Sequence, residues 1–204
     1  MISFKDKTSF LLAICILTLI NGLSVNNPGF CTPSSVTIKM RRPMQTPKFL
    51  MYSSAFKNGE RIPTHYTADD VNVSPPLSWG TAPAGTKSFA LICEDPDAPM
   101  GTWIHWIVYN IPPDKKGLEQ GVPAQPRLSD DSQQGINSFK HIGYGGPSPP
   151  PGKPHRYFFK LYALSEMIVQ PSTIANPPMD AKTFYSYVKR YTLAESDLMG
   201  TYGR

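Results

Sequence analysis

The chain has 204 residues, which suits one well-packed domain with a tail rather than two domains. Its 22 prolines argue against long uninterrupted helices. The formal net charge of +5 lies entirely in residues 1–48, which hold six Lys/Arg residues and one acid. A nucleic-acid-binding protein needs a basic surface on its folded domain, so this distribution argues against nucleic acid as a partner.

Residues 1–48 are predicted to lie outside the domain. Two lysines precede an apolar run over residues 10–20, which suits the core of a signal peptide and is too short to span a bilayer. Residues 26–48 contain several prolines and are predicted to be a linker. We therefore expect a protein exported to the periplasm or secreted, with membrane contact only through this segment. Two alternatives stay open, a retained anchor and a cytoplasmic protein translated from Met51.

From Phe49 onward, short apolar runs broken by proline and glycine predict β-strands. The strongest runs cover residues 88–93, 103–109 and 157–164, which are rich in aromatic and β-branched residues. Because these runs are almost continuously apolar, we expect strands covered on both faces, as in a β-sandwich. Residues 198–202 predict a short terminal strand.

One helix is predicted near the end of the chain. Asp180 can cap it, and Phe184, Tyr187, Val188 and Tyr191 recur at the spacing of one helix face. An aromatic stripe of this kind is typical of core packing.

The three cysteines include no metal-binding pair. Cys93 lies in a predicted core strand and is best explained as a small buried apolar residue. A disulfide between Cys31 and Cys93 remains open.

Polar residues gather where the predicted strands end. Asp95 and Asp97 stand in a proline-stiffened loop that directly follows the run 88–93. A second loop, residues 143–152, contains glycines that allow a ligand to approach the backbone closely. His105 lies within an apolar strand, where its ring is costly to bury unless both nitrogens have partners. Alone it is explained as a core histidine, but two nearby carboxylates make it a candidate site residue.

At these residues the sequence resembles the phosphatidylethanolamine-binding proteins, specifically their bacterial, Raf-kinase-inhibitor-like branch. The matching motifs include Phe56-Lys-Asn-Gly, Asn72-Val-Ser-Pro-Pro-Leu-Ser-Trp79, Asp95-Pro-Asp-Ala-Pro99, His105-Trp106, Gly143-Tyr-Gly-Gly-Pro147, His155-Arg-Tyr157 and Gly200-Thr-Tyr-Gly-Arg204. Each motif is weak alone, but their order and spacing together are specific. The resemblance implies a mainly β fold over residues 49–204, a Greek-key β-sandwich with a short C-terminal helix.

The resemblance also implies a pocket for phosphate-like anions and phosphorylated head groups. Glycine-turn N–H groups and histidine N–H groups would hold the anion, and an Asp beside His105 would orient its ring and favour its charged form. Arg156 is expected to form a surface salt bridge, and His65 and His141 to be ordinary surface residues. The implied pocket residues are Asp95, Asp97, His105, Gly146, Pro147, His155 and Tyr157.

Three functions from different classes fit this sequence. The leading one is a non-enzymatic binding module with one pocket for a small anionic ligand, such as phosphate or a phospholipid head group. The second is a regulator or inhibitor of a protein kinase or protease partner through the same pocket. The third is acid–base or phosphoester chemistry at Asp95, His105 and His155, which no Ser or Cys nucleophile accompanies in the matched motifs. No cofactor and no metal are predicted, because the histidine and aspartate spacing matches no metal-binding motif.

Overall fold

The computed structural model describes residues 49–169 and 178–204. The predictions for residues 1–48, including the export segment, the linker and the disulfide partner Cys31, lie outside the described residues. Within the described ranges, no helix is long and apolar enough to cross a membrane.

The described residues form two antiparallel sheets and one α-helix. One sheet has three strands in the order β1-β2-β5, and the other has five in the order β6-β4-β3-β7-β8. The predicted mainly β sandwich with one short helix is therefore confirmed. The elements are β1 (Met51–Tyr52), β2 (Leu77–Trp79), β3 (Ser88–Asp95), β4 (Trp103–Ile111), β5 (Gly117–Leu118), β6 (Gln133–Gln134), β7 (His155–Leu164), α1 (Ala181–Tyr191) and β8 (Thr192–Tyr202).

The central strand β3 is buried along its whole length because both of its faces are covered. Phe89, Leu91 and Cys93 belong to a core cluster that also contains side chains of the three-stranded sheet. Ala90 and Ile92 point the other way, into a second cluster that includes residues of α1. Cys93 is a buried free thiol, as expected for a small apolar residue, and burial raises its pKa.

The helix α1 begins as predicted. The Asp180 side chain accepts a hydrogen bond from the backbone N–H of Thr183 at 2.8 Å, which caps the first turn. Phe184 and Val188 are buried in the second cluster, whereas Tyr187 is only partly buried at its edge. The predicted stripe therefore packs on the core, mainly through Phe184 and Val188.

The last strand is longer than predicted. β8 has 11 residues, whereas the sequence predicted a strand only over residues 198–202. It pairs with β7 along nearly its whole length, from Leu164 opposite Thr192 to His155 opposite Tyr202. Its first residues are mostly exposed and polar, so the backbone pairing with β7 defines this part of the strand.

Candidate ligand-binding site

Three strand ends meet at one edge of the five-stranded sheet. Since β3 runs antiparallel to both β4 and β7, the end of β3 lies beside the beginnings of the other two strands. Asp95 is opposite Trp103, and Glu94 is opposite Phe158. The sheet thus brings together the Asp95 loop, the start of β4 and the motif that begins at His155.

A cavity of about 360 Å³ opens at this edge. This volume is in the range of small-molecule sites in proteins. Four of the residues predicted for the pocket line it, namely Asp95, His105, His155 and Tyr157. The remaining wall is mostly apolar and consists of Ala98, Pro99, Met100, Trp103, Phe139, Pro149 and Pro150, with Ser148 as a further polar residue.

Asp95 holds His155 in a fixed orientation. Nδ1 of His155 lies 2.7 Å from Oδ2 of Asp95, and the backbone N–H of Asp97 donates to Oδ1 at 2.8 Å. A carboxylate only accepts hydrogen bonds, so Nδ1 of His155 carries the proton and Nε2 is left for a ligand. The pKa of Tyr157, which also lines the cavity, is raised well above the usual value, first by burial and then by the Asp95 charge.

His105 has a different partner from the one expected. Its Nδ1 lies 2.6 Å from the carbonyl oxygen of Gly145, which can only accept, so Nδ1 is the donor. The rings of Phe139 and Tyr157 contact it edge-on, at centroid distances of 5.4 and 5.2 Å. Burial lowers the pKa of His105 below its ordinary 6.5 and outweighs the opposing Gly145 hydrogen bond and Asp95 charge. The expectation that an aspartate orients the His105 ring is therefore wrong, since Gly145 does so. Asp95 favours the charged form as expected, but burial outweighs this effect.

Asp97 and Pro147, which were predicted for the pocket, are not among the residues that line the cavity. The Asp97 carboxylate accepts from the backbone N–H of Arg156 at 3.0 Å and from its guanidinium at 2.9 and 2.7 Å. These hydrogen bonds lower the pKa of Asp97 to about 2. The predicted surface salt bridge of Arg156 is thus confirmed, with Asp97 as its partner. Pro147 is buried directly before Ser148, which does line the cavity.

The glycine turn positions His105 through its backbone. The Gly146 N–H donates to Oδ1 of Asn72 at 2.7 Å, and the Gly145 N–H donates to the His105 carbonyl at 2.9 Å. Both N–H groups therefore have acceptors inside the protein, and Gly146 is outside the cavity wall. A Cβ atom at Gly146 would lie 2.7 Å from Asn72 Oδ1 and from the Tyr66 carbonyl, so this close approach requires glycine.

Sequence reasoning did not name Ser148 or the apolar wall as site residues, although Ser148, Pro149 and Pro150 lie in the loop 143–152 that it singled out. The Ser148 hydroxyl donates to Oδ1 of Asp69 at 3.0 Å and accepts from Arg204, which itself pairs with Asp69. Phe139 lies in the loop between β6 and β7, and its position at the cavity depends on tertiary contacts with Trp103 and His105. No local sequence pattern marks these residues as members of one site.

The other two histidines lie outside this cavity. His141 is exposed, as expected for a surface residue, whereas His65 is partly buried and contacts the Tyr66 ring edge-on at 5.1 Å. Over residues 49–169 and 178–204, no group of three or more His, Cys, Asp or Glu side chains is arranged to hold a metal ion.

A comparison with known protein families shows which family shares these motifs. The model of the phosphatidylethanolamine-binding protein family matches residues 52–203. The chain belongs to this family. A UPF0098 protein of Methanothermobacter thermautotrophicus is 47% identical over 151 residues, covering 74% of this chain and 95% of the relative. One from Aquifex aeolicus is 44% identical over 156 residues, covering 76% and 88%.

Solved structures of family members have the same fold. The Escherichia coli protein YbcL, described as a new member of the mammalian PEBP family, superposes with a TM-score of 0.69 at 31% identity, covering 76% of this chain and 98% of YbcL. The PEBP homologue CT736 of Chlamydia trachomatis gives 0.67 at 35% identity, covering 76% and 97%. Membership in this family confirms the resemblance seen in the motifs and supports a binding-type protein.

Proposed function

We propose that the protein is a non-enzymatic binding module whose cavity holds a small anionic ligand, such as inorganic phosphate or a phosphorylated head group. The observation that carries this proposal is the pair of histidines in one cavity. His105 and His155 each use Nδ1 on a protein acceptor, Gly145 O and Asp95 respectively. Their Nε2 atoms are therefore the ring nitrogens available to a ligand.

The charges around the cavity are compatible with an anion. A protonated His155 can donate a charge-assisted hydrogen bond from Nε2 while Asp95 holds the ring in place. The negative charge of Asp97 is balanced by the guanidinium of Arg156. The apolar wall makes the surroundings of a bound ligand less polar than water, which strengthens a hydrogen bond made inside the cavity.

The cavity geometry favours binding over covalent catalysis. Ser148 is the serine among the residues that line the cavity, and serine is a common catalytic nucleophile. Its hydroxyl hydrogen-bonds Asp69 and Arg204 rather than a histidine. A serine needs an adjacent general base to become a nucleophile. This arrangement therefore supplies no activated serine.

Regulation of a kinase or protease partner is the second candidate. The cavity wall includes Met100, whose side chain is 90% exposed, and Phe139, which is 39% exposed. Exposed apolar side chains at the rim of a cavity are typical of surfaces that contact a macromolecule. A partner that is released by pocket substitutions would support this function.

The binding proposal is tested by titrating inorganic phosphate into the wild-type protein and the variant His155→Ala in a calorimeter. Loss of a charge-assisted hydrogen bond costs about 1.5–3 kcal/mol, so the affinity of the variant should fall at least about tenfold. His141→Ala removes an exposed histidine outside the cavity and should bind as the wild type does. Equal affinities in wild type and His155→Ala, with melting curves showing both folded, would contradict the proposal.

A further inference from the structure

Resting on the proposed function, we infer that the cavity selects anions that also carry a hydrogen-bond donor, which they place on Nε2 of His105. Hydrogen phosphate and the monoanion of a phosphomonoester are such ligands, because one of their oxygens bears a proton. Sulfate has a similar size and shape but carries no proton near neutral pH.

The inference starts from the hydrogen bond of His105. The Gly145 carbonyl lies 2.6 Å from Nδ1 and can only accept, so the single proton of a neutral imidazole is placed there. Nε2 then has a lone pair and is an acceptor. A ligand oxygen without a proton would bring its own lone pairs against this nitrogen.

The other polar side chains of the cavity offer few donors. The His155 Nδ1–H is used on Asp95. The Ser148 hydroxyl proton is directed to Asp69. Nε2 of a protonated His155 and the Tyr157 hydroxyl are therefore the donors that these side chains leave for an anion, and Nε2 of His105 is the matching acceptor.

A charged His105 would remove this selectivity, but its surroundings oppose the charge. The residue is 3% exposed, and two aromatic rings contact the imidazole. The groups that act on its charge are Asp95, which favours the charged form, and His155, which opposes it. Asp95 is hydrogen-bonded to His155 rather than to His105, and burial lowers the pKa of His105.

Two complementary contacts then define the ligand. An unprotonated oxygen accepts from His155, and a protonated oxygen donates to His105. A site that is built to accept a hydrogen bond rejects an analogue lacking the donor, because the buried acceptor is left unpaired. The cost of an unpaired buried group corresponds to a loss of affinity of about tenfold or more.

The test is calorimetric titration of the full chain with inorganic phosphate and with sodium sulfate, at about pH 7, where His105 is neutral, and at matched ionic strength. We expect phosphate to bind at least about tenfold more tightly than sulfate. Equal affinities for the two anions would overturn the inference and leave the proposed anion site standing. Failure of both anions to bind would overturn the proposed function, and the inference with it.

Two variants locate the selectivity. Glutamine offers both an acceptor and a donor, so His105→Gln should lower the ratio of phosphate to sulfate affinity. His141→Gln makes the same exchange at an exposed position outside the cavity and should keep the wild-type ratio. An unchanged ratio in a folded His105→Gln protein would assign the selectivity to another group and overturn the role of His105. If that variant does not fold, the wild-type ratio alone decides the inference.

Discussion

The imidazole of His105 is buried beside the rings of Phe139 and Tyr157 and donates to a backbone carbonyl. Its pKa in the folded protein lies below the ordinary 6.5 because burial disfavours the charged ring. The unfolded chain therefore binds a proton at this residue more readily than the folded protein does. Stability associated with His105 is present above pH 6.5 and is lost as the pH falls below that value.

This direction of the pH dependence of stability gives a prediction for His105→Gln, which removes the titrating group. Between about pH 7.5 and about pH 5.5, either side of the ordinary histidine pKa, the wild-type free energy of unfolding should fall more steeply than that of the variant. Urea denaturation at the two pH values measures both slopes. His141→Gln should keep the wild-type slope, because that side chain is exposed. If the free energy of unfolding changed with pH equally in wild type and His105→Gln, the pKa of His105 would not be lowered in the folded protein.

The sequence identified both histidines as candidates but predicted that an aspartate would orient His105, whereas Asp95 orients His155. His105 is closer to Asp95 along the chain, whereas His155 is the partner that the sheet provides. Spacing along one chain does not determine which side chains meet across a pair of long-range strands. The roles of Gly146 and Asp97 were also set by contacts that no local pattern shows, with Asn72 in one case and Arg156 in the other.

At the scale of single elements, the cap of α1 provides a second prediction. Asp180→Ala removes the acceptor of the Thr183 N–H and should lower the free energy of unfolding by about 1 kcal/mol. Ser186→Ala changes an exposed hydroxyl on the same helix that bonds only within it, to the Thr183 carbonyl, and should have little effect. Chemical denaturation compares the two variants. A loss for Ser186→Ala equal to that for Asp180→Ala would mean that the cap contributes nothing specific.

The strands that the sequence predicted well are the long ones that are mostly buried. β3 and most of β4 and β7 are almost continuously apolar, so their composition alone indicates strands. β1, β5 and β6 have two residues each, and two residues carry no periodicity. These short strands, like the exposed first half of β8, are defined by backbone pairing with a neighbouring strand.

At the scale of the whole molecule, the residue at which the folded domain begins can be measured. Phe49 stacks on Phe89 at a centroid distance of 5.9 Å, and Phe89 is fully buried in the core between the sheets. A chain beginning at Phe49 should therefore unfold in one cooperative transition at the melting temperature of the full chain. A chain beginning at Met51 lacks this stacking and should melt at least about 2 °C lower. Scanning calorimetry of the two chains tests this, and equal melting temperatures would show that Phe49 lies outside the domain.

The central claim is that one cavity holds an anion between His105 and His155. A crystal structure of the full chain grown with inorganic phosphate tests it most directly. We predict tetrahedral density inside the cavity, within hydrogen-bond distance of Nε2 of both histidines and with His155 still bonded to Asp95. A phosphate bound only at other surfaces, with the cavity free of it at a saturating concentration, would contradict the claim.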